Sequence, residues 1–113
     1  MGYCRAVYNL SKQFFAILAR SAKLPRDLFR RLSLGRVSLA RLLHYPPAPA
    51  MSTARGVAAH TDFAAMTLLW QDAVGGLQIF HPKTQSRIDV VPIPGTYVVN
   101  LGGRMRLKTG GMY

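Results

Sequence analysis

Ala59-His60-Thr61-Asp62-Phe63-Ala64-Ala65-Met66-Thr67-Leu68-Leu69-Trp70-Gln71-Asp72-Ala73-Val74-Gly75-Gly76-Leu77-Gln78-Ile79 places an imidazole and a carboxylate two residues apart, just before an apolar run. Side chains at i and i+2 of a strand project to the same side, so a strand over Val57 to Phe63 brings His60 and Asp62 inward to one point. Such a pair is able to ligate a metal ion. A bare H-x-D pattern is equally explained by a local His–Asp hydrogen bond, so the surrounding residues must carry the distinction.

The pattern continues outward as β structure. Met66 to Gln71 reads as a strand, Asp72-Ala73-Val74-Gly75-Gly76 as a turn rich in permissive glycine, and Leu77 to Phe80 as the hairpin partner returning from it. His81 to Gln85 forms another turn, and Arg87 to Val91 a strand before the Ile93-Pro94-Gly95 corner. Thr96 to Leu101 is rich in the β-branched and aromatic residues of a pleated, half-buried surface, and Gly102-Gly103 breaks it. Upstream, Val37 to Tyr45 alternates as a strand until Pro46-Pro47 and Pro49 remove ladder donors, with a loop following through about Arg55.

The beginning of the chain has a different period. Val7, Leu10, Phe14, Ile17 and Leu18 form a helical stripe between about Arg5 and Ala22, with Lys12 and Arg20 on the other face. Leu24 to Phe29 reads as a second, short helix, with Pro25 and Asp27 in its first turn. Beyond this helical start the coarse reading is all-β.

The 113 residues suit one small domain, and a hydrophobic content of 50% is enough for a core. The net charge of +11 is uneven: residues 1 to 57 contribute +9 and residues 58 to 113 only +2. A basic, acid-poor beginning is compatible with a solvated helix face, an organellar transit segment, or contact with nucleic acid or anionic lipid. Cys4 is the only cysteine, which excludes an intramolecular disulfide and a thiolate zinc framework and fits a cytoplasmic setting. No apolar run has the roughly 18 residues of a membrane-spanning helix, and the start lacks the order of a secretory signal.

Together, the 59–79 stretch, Leu42-Leu43-His44-Tyr45-Pro46-Pro47 before it and Val90-Val91-Pro92-Ile93-Pro94-Gly95-Thr96-Tyr97-Val98-Val99-Asn100-Leu101-Gly102 after it closely resemble the isopenicillin N synthase-like Fe(II)/2-oxoglutarate-dependent dioxygenases. The family signature reads H-T-D-x-G-x-L-T-L-L-x-Q-D-x-V-G-G-L-Q, and the resemblance covers residues 39 to 113 with several motifs in family order. It implies a mainly β fold, a partial double-stranded β-helix or jelly roll preceded by one or two helices. Residues 1–36 are then a helical segment, and residues 37–113 an incomplete dioxygenase-like domain.

The resemblance also implies a chemistry. His60 and Asp62 become ligands to Fe(II), two members of a 2-His-1-carboxylate facial triad, and Tyr45 becomes the phenol that helps hold the co-substrate 2-oxoglutarate. The expected activity is hydroxylation, desaturation or ring closure of a small molecule. Departures weaken it: Leu43 replaces the asparagine paired with the family's tyrosine, Gly103 replaces an acid and Lys108 a tryptophan. In relatives the distal histidine, and the arginine and serine that bind 2-oxoglutarate, come after the position of Tyr113, and neither His44 nor His81 matches a ligand position. The expectation is therefore a domain cut short, inactive as this chain, whose uncovered edges aggregate, oligomerise or pair with another chain. The competing readings are a non-catalytic β scaffold that binds a partner and a basic binder of nucleic acid or anionic surfaces.

Overall fold

A computed structural model describes residues 2–33, 38–47, 49 and 56–113. The chain divides into two compact units, one ending at Gly56 and the other running Val57–Tyr113.

In the first unit, α1 spans Gly2–Ser21 and α2 spans Leu28–Ser33. The helical stripe is real but rotated slightly from its expected centre. Val7, Leu10, Phe14 and Leu18 are half-buried and Ala19 is fully buried, whereas Ile17 stays 60% exposed. Phe15 instead meets Phe29 of α2, with ring centroids 5.9 Å apart and planes inclined by 36°. Phe29 is 3% exposed, so this contact and Ala19 form the small core of the unit.

The end of α1 is a left-handed cap. Leu24 N donates to Ala19 O at 2.8 Å and Lys23 N to Arg20 O at 3.0 Å, the paired bonds of a Schellman motif. Lys23 occupies its left-handed position, at φ 55°, where glycine is the usual residue. Asp27 precedes α2 rather than entering its first turn. Its carbonyl accepts from Arg31 N at 2.9 Å, and its carboxylate meets Arg31 Nε at 3.2 Å.

Leu39 to Tyr45 forms no strand, contrary to the alternation in its sequence; Val37, where that strand was expected to begin, and residues 50–55 of the expected loop lie outside the described residues. A strand needs a partner, and no described strand pairs with this segment.

That unit contains β1 (Met66–Leu69), β2 (Gln78–His81), β3 (Ser86–Asp89) and β4 (Val98–Leu101). β2 and β3 form a hairpin across the expected His81–Gln85 turn, with Gln78 opposite Asp89 and His81 opposite Ser86. The partner of β1, however, is β4 and not β2: Met66 pairs with Leu101, Thr67 with Asn100, Leu68 with Val99 and Leu69 with Val98. The intervening Asp72–Gly76 turn has Gly75 and Gly76 at φ 77° and 96°, and Val74 N donates to Asp72 Oδ1 at 3.0 Å. This conformation carries the chain away from β1 instead of folding it back alongside. The β2–β3 hairpin is thus nested in sequence between two strands that pair with each other.

After β4, Gly103–Lys108 forms a short helix, α3, which the all-β reading missed. Arg104, Met105, Arg106, Leu107 and Lys108 all have high helix propensity, and Met105 is fully buried while Leu107 is 83% exposed.

Candidate functional site

His60 and Asp62 lie in a segment without ladder bonds, just ahead of β1. The expected strand over Val57 to Phe63 does not form, yet the consequence drawn from it holds: His60 Nε2 and Asp62 Oδ1 are 3.3 Å apart. What brings them together is support from the β1–β4 pair and the turn beyond it.

That support starts at the backbone. Gly103 N donates to Asp62 O at 2.8 Å, and Gly102 N donates to Ala65 O at 3.2 Å. Gly102 packs so closely that a Cβ there would collide with the carbonyl oxygens of Asp62 and Ala64. The Gly102-Gly103 break therefore has a second role, as the floor on which the His60–Asp62 segment rests.

The side chains are held just as firmly. Thr67 Oγ1 donates to Asp62 Oδ2 at 2.5 Å, and Asn100 Nδ2 donates to the same oxygen at 2.8 Å. These bonds, from Thr67 first and then Asn100, hold the Asp62 carboxyl below its ordinary value of 3.8; partial burial opposes them, and His60 adds to the lowering. Asp62 is therefore a carboxylate at neutral pH.

His60 Nδ1 is 2.9 Å from Ala58 O. A carbonyl oxygen only accepts, so Nδ1 carries the proton of that bond and Nε2 is the ring nitrogen turned to Asp62 Oδ1. Either a proton on Nε2 or a metal ion joins Nε2 and Oδ1 across this 3.3 Å.

The spacing suits a metal. Donors about 2.0–2.2 Å from a first-row divalent ion and at right angles to each other are about 3 Å apart. An imidazole and a carboxylate are also the mixed N/O donor set such ions accept. The side chains are 59% and 27% exposed, so the pair is open to solvent. The Arg104 guanidinium of α3 lies over the Phe63 ring, 4.3 Å from its centroid.

Among the described residues, no group of three or more His, Cys, Asp or Glu side chains is assembled to hold a metal. His81 ends β2 and its Nδ1 pairs with Thr84 Oγ1 at 2.9 Å, while His44 is exposed in the first unit. Tyr45 also belongs to the first unit, 53% exposed, with its ring lying directly on Gly56. Thr67 and Asn100 were not singled out from the sequence. Their signal was there: each is the one polar residue in its strand, in Met-Thr-Leu-Leu and Val-Val-Asn-Leu.

Comparison with known proteins agrees with this chemistry. The chain is 41% identical, over its whole length, to the 2-oxoglutarate-Fe(II) type oxidoreductase hxnY of Emericella nidulans, and covers 33% of that protein. It is 38% identical to a 2-oxoglutarate-Fe(II) type oxidoreductase of Aspergillus fumigatus, again over its whole length and 34% of the relative. With 1-aminocyclopropane-1-carboxylate oxidase homolog 4 of Arabidopsis thaliana it shares 33% identity over 98% of the chain and 31% of the relative. The chain thus spans about a third of the length of the curated relatives it matches. Residues 36–113 match the 2OG-Fe(II) oxygenase superfamily, and with the two converging donors ahead of β1 this match establishes that the chain belongs to that superfamily.

Proposed function

We propose that this chain provides the first two iron ligands, His60 and Asp62, of an Fe(II)/2-oxoglutarate-dependent oxidation of a small molecule by hydroxylation, desaturation or ring closure. The observation that carries the reading is the approach of His60 Nε2 to Asp62 Oδ1 at 3.3 Å. When bound, Fe(II) and 2-oxoglutarate supply an oxygen-dependent attack on a substrate C–H bond, coupled to conversion of the co-substrate to succinate and carbon dioxide.

The protein's own residues prepare that chemistry. Ala58 O holds the imidazole so that Nε2 turns to Asp62, and Asp62 brings the negative charge that retains a divalent ion. Tyr45 is the candidate for the co-substrate, its phenol half-exposed and its ring set against Gly56. The superfamily match beginning at residue 36 supports a division into a helical segment, 1–36, and a dioxygenase-like segment, 37–113, the latter part of a jelly roll. The nested pairing of β1 with β4 and of β2 with β3 is in keeping with such a roll.

Two ligands hold a metal more weakly than three, so with His60 and Asp62 alone Fe(II) is bound loosely and no turnover of 2-oxoglutarate is expected. No described helix is long and apolar enough to cross a membrane.

Metal titration of the full chain under anaerobic conditions tests the reading, with succinate release from 2-oxoglutarate followed in parallel. Saturable binding of one Fe(II) that is lost in both His60→Ala and Asp62→Ala is the expected result. Equal binding by the wild type and both variants would place the metal elsewhere and reject the assignment.

A further inference from the structure

We infer that Thr67 and Asn100 form a two-donor clamp that restricts Asp62 to ligating a metal through one oxygen, Oδ1. The inference rests on the proposal that His60 and Asp62 ligate a metal.

A carboxylate has about four lone-pair sites, two on each oxygen. Oδ2 uses both of its own, accepting Thr67 Oγ1 at 2.5 Å and Asn100 Nδ2 at 2.8 Å. Oδ1 keeps its lone pairs and faces His60 Nε2. Chelation through both oxygens would require one of the short bonds to break. The carboxylate therefore takes a single coordination position and leaves more of them open.

The clamp is also a gauge of strand register. Thr67 and Asn100 are direct partners across β1 and β4, so their two donors reach one oxygen from neighbouring strands. Slipping the register by one residue turns either side chain to the opposite face and removes a donor. Asn100 lies 38 residues beyond Asp62 in the sequence, so correct pairing of β4 with β1 is what completes the ligand's orientation. Thr67 and Asn100 are positioning residues: they act on the metal only through Asp62.

Cobalt(II) alone, added to the full chain, is the probe, because its visible spectrum reports coordination number. Wild type is expected to bind one equivalent, and Thr67→Val and Asn100→Leu are expected to bind about 10–100-fold more weakly. Their bound spectra should differ from that of the wild type, as the released carboxylate takes a second coordination position from solvent. Thr67→Ser, which keeps the hydroxyl, should restore both affinity and spectrum. Wild-type spectra in both clamp variants would overturn the inference while leaving the metal assignment standing, whereas absence of binding by the wild type would remove both. Should either variant fail to fold, NMR of the wild type gives the answer: on zinc(II) binding the Asn100 side-chain amide should keep its hydrogen-bonded shift. Movement of that signal to the position of a free amide would overturn the clamp.

Discussion

Asp62 combines two tasks, anchoring its own loop and presenting a free oxygen, and the pH response separates them. Its carboxyl is held below the ordinary value by Thr67 and then Asn100, so the folded state binds this proton more weakly than the unfolded chain does. The resulting stabilisation is complete above the unfolded value of about 3.9 and is lost as the pH falls through the lower folded value. Urea titrations at pH 7 and pH 3 should show a larger loss of stability for wild type than for Asp62→Asn; equal losses would show that Asp62 contributes nothing. Gly102 illustrates a different constraint. Its φ of −96° suits any residue, but a Cβ would strike the Asp62 and Ala64 carbonyl oxygens. Gly102→Ala should therefore cost about 1–3 kcal/mol through overpacking and also weaken metal binding. Gly76→Ala meets nothing within 4 Å and is disfavoured only by its φ of 96°, so it should leave metal binding unchanged.

Among the elements, α1 shows how a helix is stopped by a residue poorly suited to stopping it. Lys23 at φ 55° carries a left-handed strain of about 1–2 kcal/mol that glycine would not. Lys23→Gly should raise the thermal stability of the helical signal by about 1 kcal/mol, the flexibility gained by the unfolded chain offsetting part of the relief. A decrease in stability would mean that the Lys23 side chain makes a stabilising contribution of its own. The strands teach a related lesson. The positions of the four strands that form were legible within two residues because β-branched and aromatic runs separated by Gly and Pro mark strands locally. Their partners were not: a hairpin between β1 and β2 satisfies the same alternation as the observed pairing of β1 with β4. The turn at Gly75 and Gly76 and the clamp on Asp62 distinguish the two, and both depend on residues distant in sequence from β1 or β4.

For the whole molecule, what is left uncovered matters most. Among the described residues only Ala19, Phe29 and Met105 are buried hydrophobic residues, whereas Phe63, Trp70, Val91 and Ile93 are each more than 60% exposed. On the β2–β3 hairpin, Ile79 and Ile88 are cross-strand partners and each is 51% exposed. Neighbouring exposed apolar side chains such as this pair favour association. Light scattering behind size exclusion should show a mass that rises with protein concentration, and Ile88→Lys should reduce that rise. A concentration-independent monomer would count against association through this face.

The sequence by itself determined the family, the amphipathic start and the positions of the strands that form, and it put forward His60 and Asp62, because residue type, short-range period and motif spacing are local properties. It also carried the convergence of the pair, although for an incomplete reason: the i, i+2 relation survives without the strand expected to enforce it. Only the tertiary structure decided which oxygen of Asp62 accepts from Thr67 and Asn100 and which nitrogen of His60 faces the other one. Those properties arise from pairing β1 with β4, and a hydrogen bond between residues 38 apart exists only once the chain between them has folded.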